Sequence, residues 1–185
     1  MDIKNTANLL INFIIKRLAE FFGIVVSISG ILLFATLLTY SPDDPNFIFP
    51  KNTEIKNILG FQGSFISDLF FQSLGFISFL FSLTLTFTGI NIFITKNFFL
   101  IINNLFFSII FLIFGTLFFA HFYQETFALY INGNGGFVGS YLNQTFLNST
   151  ILINEKISYY ILIILNLILF LISINFQPTK YYKAS

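Results

Sequence analysis

The chain has 185 residues, of which 56% are hydrophobic and only 9% charged, and it carries 29 phenylalanines. A soluble domain carries about 25% charged residues, so this composition excludes a water-solvated surface; with lipid as the solvent, apolar surface can face outward. The net charge of +1 leaves no basic stripe for nucleic-acid phosphates, and the absence of cysteine rules out disulfides, thiolate metal sites and cysteine nucleophiles.

Residues 1–17 form a mixed N-terminal segment. Leu9, Leu10, Phe13, Ile14 and Arg17 recur at the spacing of a short interfacial helix. The first span is expected over about 18–40. Twelve large aliphatic or Phe residues between Phe21 and Leu38 favour insertion by about 4–7 kcal/mol before polar costs. The run is too long for a cleaved signal segment and no Ala-x-Ala-like site follows. Tyr40-Ser41-Pro42-Asp43-Asp44-Pro45 ends it, because Pro42 biases Ser41 away from helix and Asp favours turns. A loop over about 41–67 follows, with Pro50 and Gly60 as breakers.

The second span is expected over about 68–94. Gly75, Ser78, Ser82, Thr86 and Gly89 recur along it at intervals of three and four, placing small residues on one face where another backbone can approach. Lys96 and Asn97 turn the chain into a third span over about 98–120. Asn103 and Asn104 near its start either bond to a neighbouring helix or lie at headgroup depth; their closeness to Lys96 favours the second. A longer loop, about 121–156, contains Gly133-Asn134-Gly135-Gly136. Within it, 137–152 reads as a short interfacial or re-entrant helix. The fourth span, about 157–174, is interrupted by Asn166, and residues 175–185 form a tail with Pro178, Lys180 and Lys183. The expected fold is an all-α integral membrane bundle of four transmembrane helices, with the lipid bilayer as its principal partner.

The basic residues orient this bundle. Lys4, Lys16, Arg17, Lys96, Lys180 and Lys183 fall on one side, against Lys51, Lys56 and Lys156 on the other. The larger set lies on the shorter segments, where the positive-inside rule acts, so both termini are expected in the cytoplasm.

Sites of chemistry are few. His121 and Glu125 share a helical face at i, i+4, but the chain has a single histidine and a structural metal site needs about four ligands. Asp43 and Asp44 are adjacent, which does not converge two carboxylates on one substrate. Asp68 at a span mouth suits a helix start, where a carboxylate is favourable; the other reading, a proton path, is weakened by its position near the interface. No catalytic residue, cofactor or metal is expected.

Several motifs occur in a fixed order: Arg17-Leu18-Ala19-Glu20 before Gly23; Tyr40-Ser41-Pro42-Asp43-Asp44-Pro45; Asn57, Gly60 and Gly63; Asp68 and Gly75; and Gly136-Phe137-Val138-Gly139 after Gly135. In this order they resemble the N-terminal membrane domain of the FtsK/SpoIIIE family of bacterial DNA translocases. The resemblance implies four spans with cytoplasmic ends in the bacterial inner membrane. It also implies a role in cell division and chromosome partition, anchoring a DNA pump at the division septum among other division membrane proteins or copies of itself. In the family a linker and a hexameric ATP-driven motor follow. These 185 residues contain no Gly-Lys pair and hence no phosphate loop, so the resemblance casts them as a fragment, a stand-alone membrane domain or half of a split gene.

Two other classes make different demands. A small transporter or channel subunit needs polar groups along a mid-membrane path, and the spans offer only Asn, Ser and Thr there. A membrane enzyme needs clustered His, Asp or Glu, which the single histidine disfavours.

Overall fold

The computed structural model describes residues 3–45, 54–124 and 132–175. Every regular element among them is helical: α1 (Ile3–Leu38), α2 (Gly60–Leu74), α3 (Ser78–Thr95), α4 (Leu100–Phe122), α5 (Gly136–Asn143), α6 (Phe146–Ile153) and α7 (Glu155–Ser173). Among the described residues, four stretches are long and apolar enough to cross a membrane: Asn8–Leu38, Gly60–Thr95, Leu100–Phe122 and Glu155–Ser173. The connections α1–α2 and α4–α5 share one end of the bundle, here the loop face. The α3–α4 turn lies at the other, the turn face.

The N-terminal segment is not a separate interfacial helix. It is the first half of α1, which runs unbroken for 36 residues, about 54 Å against a hydrocarbon core of about 30 Å. Its registration is set at Glu20. That carboxylate accepts from Arg17 Nη1 at 2.5 Å, one turn back, and meets Lys96 Nζ of the α3–α4 turn at 2.9 Å. Glu20 is therefore level with the α3–α4 turn, and the Arg17-x-x-Glu20 motif ties α1 to that turn. Lys96 itself ends α3 in the left-handed conformation (φ 57°), returning its N–H to Ile92 O at 2.8 Å.

The second crossing also differs from expectation. Its helix starts at Gly60, inside the stretch read as loop to about residue 67, and it is broken in the middle. Gly75 takes φ 67° and a single 3₁₀ turn, Gly75–Ile77, joins α2 to α3. Gly60, Gly63, Ser64 and Ser67 look like loop residues because they are small or polar; here Gly60 opens α2 in a left-handed conformation (φ 63°), and Gly63, Ser64 and Ser67 form the face that meets Asn57 and Pro45. The expected 137–152 helix is two short helices, α5 and α6. The latter is capped by the Thr145 hydroxyl accepting Leu147 N–H.

Packing is pairwise, α1 on α3 and α4 on α7, with α5 laid against α4. The α1–α3 seam is built from small residues on both sides. A Cβ on Gly23 would lie 2.7 Å from the Gly89 carbonyl oxygen, and one on Gly30 would lie 2.8 Å from the Ser82 carbonyl oxygen. Ser27 completes the α1 side, its backbone lying against Gly89. Of the five small residues expected on one face, Ser82, Thr86 and Gly89 meet α1. The break in the helix turns the other two elsewhere: Ser78 donates its hydroxyl across the 3₁₀ turn to Phe70 O at 3.1 Å, and Gly75 is approached by Asn134. The α4–α7 pair packs Phe111 edge-on to Phe170, and Leu117 and Leu162 cluster with Ile151 of α6.

Candidate functional site

Tyr40, Asp44, Asn57 and Asp68 of the motifs converge on the loop face, where they lock the end of α1 onto α2; Arg17 and Glu20 stay at the turn face. Asp44 is buried, 3% exposed. Its carboxylate accepts two backbone N–H groups, from Lys56 and from Asn57, each at 2.9 Å. Two such bonds to one carboxylate fasten residue 44 to residues 56 and 57. Asp43 stands exposed, 3.7 Å from Lys56 Nζ. The two adjacent carboxylates thus point to different partners, as their sequence spacing implies.

Asn57 is the hub of this lock. Its side-chain amide donates to Thr36 O at 2.9 Å, with Thr39 O and Ser67 Oγ at 3.4 Å, while its Oδ1 accepts Leu59 N–H at 3.2 Å. Thr36 and Thr39 belong to the end of α1, whose final carbonyls have no partner within the helix. Asn57 supplies that partner. Thr39 Oγ1 accepts Ile58 N–H at 3.2 Å, and Ser64 donates to Pro45 O at 2.9 Å. A Cβ on Gly63 would overlap Asn57 Oδ1, so Gly63 leaves room for this hub, while Gly60 supplies a left-handed backbone (φ 63°) with open space around it. Below it, the Tyr40 ring packs tilted against Phe71, centroids 4.8 Å apart, beside Leu33 and Leu37.

Asp68 sits two turns inside α2, not at its start. The helix begins early, at Gly60, with Leu59 as a cap that makes no side-chain bond. Asp68 instead accepts the Tyr40 phenol at 3.1 Å and approaches Gln72 Nε2 at 3.5 Å. Burial first, and then the Asp68 charge, hold the Tyr40 phenol well above its ordinary pKa.

The glycine motif of the second loop builds an adjoining junction at the α2–α3 break. Phe76 donates its N–H to Asn134 O at 3.0 Å, replacing the helical partner lost at the break. Gly136, at φ 64°, fits against Ser73 and Leu74, where a Cβ would lie 2.6 Å from the Ser73 carbonyl oxygen. Gly139 presses on the Thr116 carbonyl of α4. Asn132 donates to Gln72 O at 3.1 Å, and Asn134 donates to Tyr123 O. One contiguous polar surface therefore links Tyr40, Asp68, Gln72 and Asn132, with contributions from the exit of α1, from α2 and from the second loop.

His121 lies in the last turn of α4, its Nδ1 3.3 Å from Asn143 Oδ1 and its Nε2 3.6 Å from Glu155 Oε1. Glu125, its expected neighbour, falls outside the described residues. Among the described residues no three His, Asp or Glu side chains gather as metal ligands.

At the turn face, Asn104 is 1% exposed and bonds to a neighbouring helix, the other of the two readings its position allowed. It donates to Thr88 Oγ1 at 2.8 Å and accepts from Asn175 Nδ2 at 2.6 Å. Asn91 donates to Ile174 O at 2.8 Å, and the hydroxyls of Thr84 and Ser173 lie 3.1 Å apart. Closeness to Lys96 gives the depth of Asn104 but not which way it faces. These bonds pin the end of α7 to the turn face, the same side from which α1 extends. Of the cations that orient the chain, Lys4, Lys51, Lys180 and Lys183 belong to segments or side chains outside the described residues.

Sequence reasoning missed the partners of the motif residues. Thr36, Thr39 and Ser67 carry no pattern of their own. Ser27 and Gly30 had a usable signal: with Gly23 they repeat the i, i+4, i+7 spacing of Ser82, Thr86 and Gly89.

Four apolar crossings joined by a motif-built lock define a multi-pass membrane domain. The family described as the 4TM region of DNA translocase FtsK/SpoIIIE matches residues 15–183, and the chain belongs to that family. It is 30% identical over 78 residues to the DNA translocase FtsK of Rhizobium meliloti (strain 1021), a match covering 42% of this chain and 9% of that protein. It is 32% identical over 73 residues to the DNA translocase FtsK of Azospirillum brasilense, covering 38% of this chain and 12% of that protein. The matched stretches are thus a small part of either relative. No solved structure matches the chain.

Proposed function

We propose that this chain is the membrane-anchoring and septum-targeting domain of an FtsK-like DNA translocase, acting in cell division and chromosome segregation. It sits in the bacterial inner membrane with both ends in the cytoplasm, provides the anchor and not the ATP-driven step, and meets other division membrane proteins or further copies of itself. The observation that carries this reading is the lock built from Asp44, Asn57 and Asp68. The motif Tyr40-Ser41-Pro42-Asp43-Asp44-Pro45 uses Tyr40 and Asp44 to fasten the exit of α1 to Asp68 and to residues 56 and 57, a fastened surface at the loop face. Such a surface suits recognition of a partner outside the membrane. The cation distribution supports the orientation, as does the return of α7 to the turn face.

The test is the position of a fluorescently tagged chain in dividing cells. A band at the septum is the expected result, reduced when Asp44→Ala unfastens the connection. Uniform distribution around the membrane at normal expression would overturn the reading.

A further inference from the structure

The α1–α3 seam leaves a groove of about 200 Å³ on its outer side, walled by Ile24 and Ile28 of α1 and by Gly89, Ile90 and Phe93 of α3. Ile24, Ile28, Ile90 and Phe93 are 44%, 50%, 39% and 45% exposed, so the groove opens away from the bundle. It is apolar and lies within the crossing. Its turn-face end has a different character. Glu20 stands one and two turns from Ile24 and Ile28, and Lys96 stands one and two turns from Phe93 and Gly89, so the groove begins about 6 Å beneath them and runs to about 12 Å. Arg17 and Lys96 both reach the Glu20 carboxylate, and exposed Lys16 lies one turn before Glu20 on the same face. Two cations thus meet a single carboxylate with exposed Lys16 a turn away, an excess of positive charge over an apolar slot at the depth where headgroup meets acyl chain.

We infer that this groove with its cationic rim is a binding site for an anionic phospholipid, whose phosphate sits between Arg17 and Lys96 and whose acyl chain lies along Ile24, Ile28, Ile90 and Phe93. Charge complementarity selects this occupant: a zwitterionic lipid would fill the slot equally well but brings no net charge to the rim. The inference does not depend on the proposed role in division, nor on which leaflet the rim faces.

Native mass spectrometry of the full chain, released from nanodiscs of mixed phosphatidylglycerol and phosphatidylcholine, tests it. The expected result is retention of one phosphatidylglycerol in preference to phosphatidylcholine. Arg17→Gln or Lys96→Gln should each lower that preference about fivefold. Ile90→Trp, which fills the slot, should displace both lipids while circular dichroism reports unchanged helix. Equal retention of the two lipids by the unaltered chain overturns the site without recourse to any variant. So does an unchanged preference in both charge variants, or a second copy of the chain retained in place of lipid.

Discussion

Gly23 and Gly89 face one another across the α1–α3 seam so closely that a Cβ on Gly23 would stand 2.6 Å from the backbone nitrogen of Phe93 and 2.7 Å from the Gly89 carbonyl oxygen. In lipid, apolar side chains gain little by leaving one solvent for another like it, so association rests on close backbone packing. Gly89→Val should therefore separate the two helices and lower the free energy of unfolding in detergent by about 1–3 kcal/mol. Ile31→Val, on the exposed side of α1, should leave it nearly unchanged. Titration with dodecyl sulfate, followed by circular dichroism, makes the comparison; equal effects would contradict the seam.

Removing Asn57 should loosen the loop face. Asn57→Ala leaves the Thr36 carbonyl and the Leu59 N–H without their side-chain partner, at a cost of about 1–3 kcal/mol. Asp44→Ala should cost a similar amount, and the double variant less than the sum, because the two residues share one network. Strict additivity in the same titration would show that they act separately.

Tyr40 should titrate late. Its raised pKa means that the folded chain favours the protonated phenol. The resulting stability is fully present below the unfolded phenol value, about 10, and is lost as pH rises through the higher folded value. Subtracting the alkaline absorbance titration of Tyr40→Phe from that of the unaltered chain isolates this phenol. A midpoint above about 10 is expected; a midpoint at the ordinary value would place Tyr40 in water and away from Asp68.

Gly133 and Gly136 share a left-handed backbone, at φ 69° and 64°, but differ in surroundings. Nothing lies within 4 Å of a Cβ at Gly133, whereas at Gly136 it would strike Ser73 and Leu74. Alanine at either position costs about 1–2 kcal/mol for the backbone alone. Gly136→Ala should exceed Gly133→Ala by the cost of opening the junction at the α2–α3 break. Hydrogen exchange at Phe76, whose N–H bonds to Asn134 O, should accelerate only in the former.

Hydropathy exposes the four crossings because lipid demands an uninterrupted apolar run, and the tight turn at Lys96 is equally plain. The ends of the helices are less legible. The opening of α2 reads Gly60-Phe61-Gln62-Gly63-Ser64-Phe65-Ile66-Ser67, a composition that local propensity assigns to loop. These residues are helical because Asn57 and the end of α1 pack on their small face, a long-range contact that no local pattern announces. The break at Gly75 is hidden for a related reason. Gly75 stands three before Ser78 and so reads as one more member of the seam, yet its neighbour is Asn134 of the second loop. Of the site, the motif residues are visible as an ordered set. Their arrangement as one hydrogen-bonded lock is not, since Asn57 belongs to a connection where side chains have no period.

The packing of the four apolar stretches predicts a chain that passes through the bilayer four times, with α1 emerging and α7 ending on the same side. The absence of native cysteine allows a direct measurement. The single variants Glu54→Cys, Asn97→Cys, Gln144→Cys and Ser185→Cys are labelled with a membrane-impermeant maleimide in intact and in permeabilised cells. Positions 54 and 144 are predicted to label in intact cells, and positions 97 and 185 only after permeabilisation. Labelling of 54 and 97 from the same side, or of 144 and 185 from the same side, would contradict this topology.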